Sequence, residues 1–167
     1  MTATSPYLPA GYPASQPEAF QLLATRARLS IDDLKVLALL ETAGEAFYFA
    51  LAAASDNSEV RSLLTRNGQE ERGHAHRLLK AITLLGAEPY ALPDNTDNPF
   101  AQTTLPPGLL NEQFLAMIEK GEQDGDFQYQ AWAEAEPNAE VAKLLRQNGS
   151  EETRHGERVA RVKALLQ

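Results

Sequence analysis

Residues 67–77 read NGQEERGHAHR, and the same pattern returns at 148–158 as NGSEETRHGER. Glu71 and His74 are matched by Glu152 and His155, so a Glu-x-x-His spacing occurs twice. A shift of 81 positions lays the second half of the chain on the first without a gap. Glu41 falls on Glu122, Gly44 on Gly125 and Tyr48 on Tyr129, and SEVRSLLTRNGQEERGH falls on AEVAKLLRQNGSEETRH. A repeat of this kind means two copies of one supersecondary unit, neither of which can bury its apolar stripe alone.

Working outward from the repeated stretch, the unit is a helical hairpin. Leu34, Leu37, Glu41, Gly44, Tyr48 and Ala52 recur at three- and four-residue steps until SDN at 55–57, which predicts a first helix from about residue 30. Val60, Leu64, Asn67, Glu71, His74, Leu78 and Ala81 keep the same period to Gly86 and predict a second. Two more helices follow near 110–136 and 138–166, joined at EPN. Between the pairs, GAEPYALPDNTDNPFAQTTLPPG carries five prolines and has no period, so it is a long connection. The expected fold is all-α: a four-helix bundle of two repeated antiparallel hairpins (about 30–86 and 109–167) joined by a crossover over 87–108. Residues 1–29 are expected to form a Pro-rich N-terminal arm, flexible or draped over the bundle, because MTATSPYLPAGYPASQP shows no helical period.

The Asn-Gly pairs at 67–68 and 148–149 are turn signals. The apolar stripe nevertheless passes through both without losing phase, so the helices are expected to continue. Asn67 and Asn148 lie on that stripe one turn before Glu71 and Glu152 and could hydrogen-bond those carboxylates; the alternative is a local kink with asparagine as a cap.

Composition narrows the partners. A net charge of -8 argues against a general nucleic-acid or anionic-membrane surface, which needs clustered Lys and Arg. With no cysteine, any metal must be held by nitrogen and oxygen. No basic-then-apolar leader opens the chain, and no apolar run approaches the ~20 residues that cross a bilayer, so a soluble, cytoplasmic protein is expected.

The spacing then assembles a site. Asp56, in the first hairpin turn, is equidistant in sequence from Glu41 and Glu71, and Pro137 is equidistant from Glu122 and Glu152. At ~1.5 Å per residue, antiparallel helices bring each pair to one level, roughly 22 Å from its turn. His74 and His155 share the faces of their glutamates nearly one turn along. Four carboxylates and two imidazoles therefore converge inside the bundle. Buried carboxylates repel one another and lose hydration at a cost of several kcal/mol per ion unless protonated or paired. Two divalent cations cancel four such charges, and neither Lys nor Arg occupies the central stripes of the first and third helices. One Glu-x-x-His arises by chance in many helices. Two, with two further glutamates at equal offsets, are specific to a two-metal site of iron, manganese or zinc, Glu41, Glu71, His74, Glu122, Glu152 and His155 being the candidate ligands.

The chain over about residues 30–166 resembles the ferritin-like di-iron carboxylate proteins, and among them the rubrerythrin branch. The resemblance is carried by the glutamate of LLETAGEAFYF, by ERGHAHR, by the Gly-Glu of EKGEQDG and by ETRHGER. It implies a ferritin-like bundle, two iron ions (or iron with manganese, or zinc) on the six residues above, and bridging roles for Glu71 and Glu152. It also implies reaction with hydrogen peroxide or dioxygen. Two departures stand out. Where rubrerythrins carry a further carboxylate three residues after the third-helix glutamate, this chain has Gly125. The cysteine-ligated electron-transfer domain of full rubrerythrins is absent, so a separate electron donor protein is expected.

Around the six residues, Glu45 and Asp126 lie one turn past Glu41 and Glu122 and could accept a hydrogen bond from the non-ligating nitrogen of a histidine, or form a solvated flank. Tyr48 and Tyr129, two turns on, could bond a ligand or simply pack with a satisfied hydroxyl. Glu70 and Glu151 also repeat, but the apolar stripe favours Glu71 and Glu152 as ligands. Glu119, Asp124 and His76 are expected at the surface. The leading expectation is a rubrerythrin-like redox enzyme acting on peroxide or dioxygen. The rivals are ferroxidase activity or iron handling, weakened because so few residues follow His155, hydroxylation of an organic substrate, for which the sequence shows no distinctive pocket, and a structural or partner-binding bundle whose site is empty or holds inert zinc. A homodimer is compatible with any of them.

Overall fold

A computed structural model describes residues 5–101 and 104–167. Among the described residues there are five helices and no strand: α1 (Gln16–Ala24), α2 (Ile31–Ala53), α3 (Ser58–Leu84), α4 (Glu112–Ala135) and α5 (Ala139–Leu165). The last four are the expected helices, each with a visible start signal. Ser30 and Asp33 form a reciprocal capping box on α2. The repeat-mates Asn57 and Asn138 accept from the first backbone N–H groups of α3 and α5. Gly86, at φ +82, follows the last turn of α3 in a conformation that favours glycine.

Both hairpins pack tightly, α2 on α3 and α4 on α5, and α3 packs on α5. By contrast, α2 and α4 stand apart and meet chiefly through long side chains. Buried apolar residues form two plugs. One holds Leu34, Leu37, Leu78, Ile82, Trp132 and Leu145. The other holds Tyr48, Leu51, Val60, Leu64, Leu115 and Val159. The polar centre lies between them, so water reaches it through neither end of the bundle.

Two sequence expectations need correction. Of the flexible or draped arm expected over residues 1–29, the described part is draped, and it contains a helix the sequence did not predict, α1, which buries Ala19 and Leu23. Ser15 caps it and a proline occupies its first turn, a start signal that nine residues of helix are too short to reinforce with periodicity. Ahead of α1, Tyr7, Leu8 and Tyr12 pack on the first plug, and the Tyr12 hydroxyl donates to Asp33 at 2.7 Å. The second correction concerns α2, which by length and mean hydropathy (1.5) could cross a membrane. Its all-round apolarity has a local cause: α3, α1 and the crossover together cover it. From the crossover, Asn98 donates to Leu39 O and Thr42 Oγ1, both at 2.8 Å, and Phe100 is buried.

Candidate metal centre

The middle of the bundle gathers all six residues singled out by spacing. Glu41, Glu71, His74 and Glu152 form one cluster, and Glu71, Glu122, Glu152 and His155 form another. In each, one ligand atom per residue lies within 4.8 Å of every other. Glu71 and Glu152 belong to both clusters. Glu41 comes from α2, Glu122 from α4, and each Glu-x-x-His from α3 or α5. Gly44 and Gly125 open the space beside the shared carboxylates: a Cβ on Gly44 would sit 3.2 Å from Glu71 Cδ, and one on Gly125 3.5 Å from Glu152 Cγ.

The histidines supply the test of fit. Both are fully buried, and they stack with ring centroids 5.1 Å apart. Each Nε2 donates to a glutamate of the opposite repeat, His74 to Glu151 at 3.1 Å and His155 to Glu70 at 3.2 Å. Each Nδ1 is buried without a hydrogen-bond partner, as is Glu152 Oε2. Carboxylate oxygens surround His74 Nδ1 at 3.4–3.5 Å and His155 Nδ1 at 3.2–3.8 Å. A native interior rarely leaves such atoms unpaired. Nitrogen and oxygen donors converging on one point, with the far ring nitrogen anchored by a carboxylate, fit iron, manganese or zinc.

The anchors differ from those expected. Glu45 is held by Arg72, and Asp126 by Gln130 and Thr153, so neither reaches a histidine. Glu151 and Glu70 take that part, each gripped by an arginine. The Arg77 guanidinium donates to both Glu151 oxygens (2.9 and 2.7 Å) and to Asn148 Oδ1 (2.7 Å). Arg158 does the same for Glu70 (2.8 and 3.0 Å) and Asn67 (2.9 Å). The signal was present in the sequence, since both glutamates and both arginines repeat at fixed offsets from the histidines. Single-helix reasoning missed it because each anchor crosses between α3 and α5. Asn67 and Asn148 likewise turn away from Glu71 and Glu152: their amides donate to His155 O and His74 O, both at 3.3 Å. The helices run through both Asn-Gly pairs without a break, and the glycines mark close crossings. A Cβ on Gly68 would meet Phe49 at 2.6 Å, and one on Gly149 would meet Asp126 Oδ1 at 2.7 Å and Tyr129 Cβ at 3.0 Å.

Tyr48 and Tyr129 are buried and also bond across the bundle, Tyr48 to Glu122 and Tyr129 to Glu41. This pairing makes α2 and α4 antiparallel, as the histidine–asparagine pairs make α3 and α5. Glu119 is half-buried against Lys163, and Asp124 and His76 are exposed.

Electrostatics without ions show what the site lacks. Burial disfavours the charged form of His155, yet Glu152, Glu70 and Glu71 hold its pKa up at about 12. His74 is likewise raised against the pull of burial, by Glu152, Glu151 and Glu41. Burial, then the charges of Glu152 and Glu71, pushes Glu122 well above the usual carboxylate range. Glu151, although burial works against its charge, is brought down to about 2 by His74 and Arg77. Without metal, protons on the imidazoles and on Glu122 do the neutralising.

A search of curated proteins and a search of solved structures each return no match. The family model described as Rubrerythrin matches residues 38–163, a span that takes in both hairpins and all six clustered residues. On that match, over well more than half its length, the chain belongs to the rubrerythrin family of ferritin-like di-iron proteins.

Proposed function

We propose that this protein is a di-iron redox enzyme that reduces hydrogen peroxide or dioxygen between its four central helices. The observation that carries this reading is the pair of buried clusters sharing Glu71 and Glu152, with two unpartnered imidazole nitrogens aimed into them. Glu41, Glu71, Glu152 and His74 would hold one ion, and Glu71, Glu122, Glu152 and His155 the other. A ferrous pair held by these residues would supply two electrons to the oxidant, to be restored by a separate donor protein.

The chain's own residues shape the rest. Arg77 and Arg158 keep Glu151 and Glu70 ionised, and those carboxylates keep the proton of each imidazole on Nε2, leaving Nδ1 free to ligate. Tyr48 and Tyr129 donate to Glu122 and Glu41, which fixes one oxygen of each and turns the other toward the clusters. Both phenols are held well above their ordinary pKa, by burial first and by the neighbouring carboxylates next, so they stay protonated as donors. The apolar plugs exclude water from the two ends of the bundle.

Anaerobic titration with ferrous ion, followed by mixing with peroxide or aerated buffer in a stopped-flow cell, tests the reading. The expected result is uptake of about two ions per chain, as in di-iron bundles, and rapid stoichiometric oxidation by one of the oxidants. A fully loaded protein inert to both would overturn it and leave a metal-stabilised bundle.

A further inference from the structure

The gap between α2 and α4 is lined unequally by the two repeats, against the pseudo-twofold that governs the rest of the centre. It is a cavity of about 500 Å³ whose walls include Leu37, Leu40 and Phe47 of α2, Ile118 and Trp132 of α4, and the half-exposed Phe20 of α1. Its inner side is formed by the clustered carboxylates Glu41, Glu71, Glu122 and Glu152. Were the two repeats equivalent here, α4 would line the gap with the same side chains as α2. Instead the repeat-mate of Leu40 is Gly121, that of Phe47 is Gln128, and that of Ala43 is Asp124.

Gly121 is the informative position. A Cβ placed on it would have nothing within 4 Å, and its backbone is ordinary helix, so neither crowding nor conformation requires glycine. Mid-helix glycine is nonetheless less stable than every residue except proline. Its structural consequence is an open cleft beside the centre.

The cleft's chemistry narrows its occupant. The hydroxyls of Tyr48 and Tyr129 are committed to Glu122 and Glu41, and the Trp132 indole N–H donates to Arg26 O at 3.0 Å. Recognition is therefore left mainly to apolar and aromatic contact. With exposed Asp124 on the lining and a net charge of -8 on the chain, an anion is disfavoured. The volume falls within the ~300–1,000 Å³ of small-molecule sites. We propose that this cleft binds an uncharged, largely apolar organic molecule of one or two rings, or a short aliphatic chain, beside the clustered carboxylates. Calling that molecule a co-substrate rests on the di-iron reading; its binding does not.

The uncharged fluorophore N-phenyl-1-naphthylamine is a suitable probe, because Trp132, the single tryptophan, lines the cleft and reports occupancy by energy transfer. The full chain is expected to bind it saturably with quenching of Trp132, and hexan-1-ol to displace it where equal hexanoate does not. Gly121→Leu, which restores the repeat-mate's bulk, is expected to weaken probe binding at least tenfold while ferrous uptake and helical circular dichroism stay unchanged. Gln128→Phe, at the cleft's half-buried edge, is a second filling variant should the first misfold. Unaltered probe binding in the folded variants, or displacement by hexanoate as effective as by hexan-1-ol, would overturn the proposal. A chain that binds probe but no ferrous ion would sink the di-iron reading and leave the cleft intact; one that loads iron and binds no probe would do the reverse.

Discussion

At the scale of single residues, the candidate centre leans on neighbours outside the six clustered side chains. Glu151 and Glu70 each fix an imidazole from the opposite repeat. Glu151→Ala would leave His74 Nε2 buried without an acceptor, and losing such an anchor typically lowers metal affinity about 10- to 100-fold. Ferrous or zinc titration against a competing chelator is expected to show that loss, with Glu70→Ala equivalent by symmetry. Proton linkage gives a second expectation for the metal-free protein. His155 titrates at about 12 when folded against 6.5 ordinarily, so its stabilisation is complete below about pH 6.5 and is lost as the pH climbs toward 12. Glu151 is displaced the other way, to about 2 from 4.5, so its contribution is present above about pH 4.5 and is lost as the pH falls through 2. The metal-free Tm is therefore expected to fall between pH 6.5 and 9. The loaded protein, whose imidazoles are already neutral, should not show that fall. Loading should also release the imidazolium protons of His74 and His155, measurable as buffer-dependent heat in calorimetry.

At the scale of helices, glycines separate close packing from open space. Gly149 lies where α5 crosses α4, with Tyr129 Cβ 3.0 Å from where a side chain would begin. Gly149→Ala is expected to destabilise by about 1–2 kcal/mol through overpacking, outweighing the helix propensity it adds. Gly121→Ala meets nothing and is expected to stabilise by up to about 1 kcal/mol. Urea denaturation of the two variants, in opposite directions from the parent, checks both. Helix boundaries were legible from the stripe and the turn signals, and so was the continuity through Asn-Gly. What glycine does there was not, because a turn signal and a close crossing look alike in sequence until the opposing helix is known.

At the scale of the whole molecule, the N-terminal segment ties the two hairpins together where they would otherwise be open. Arg26 pairs with Asp33 at the start of α2 while its carbonyl accepts from Trp132 of α4, and Arg28 pairs with Glu136. Phe20 and Ala24 also line the cleft. A chain starting at Leu29 is expected to show red-shifted Trp132 emission and a lower Tm, while retaining ferrous uptake, because no residue of the two clusters lies in the removed segment.

The duplicated Glu-x-x-His and its two matching glutamates determined the helices, the hairpin topology and all six residues of the centre, because helical spacing and an internal repeat are one-dimensional facts. Tertiary structure decided what depends on contact between segments remote in sequence. The anchors of the histidines cross from α3 to α5, the tyrosines reach across from α2 to α4, and α1 gains its place only by burying Ala19 and Leu23 on surfaces built elsewhere. The open cleft is of the same kind. Leu40 and Gly121 look like ordinary drift between repeats until α2 and α4 are seen to stand apart, where one missing side chain leaves a space the other helix does not fill.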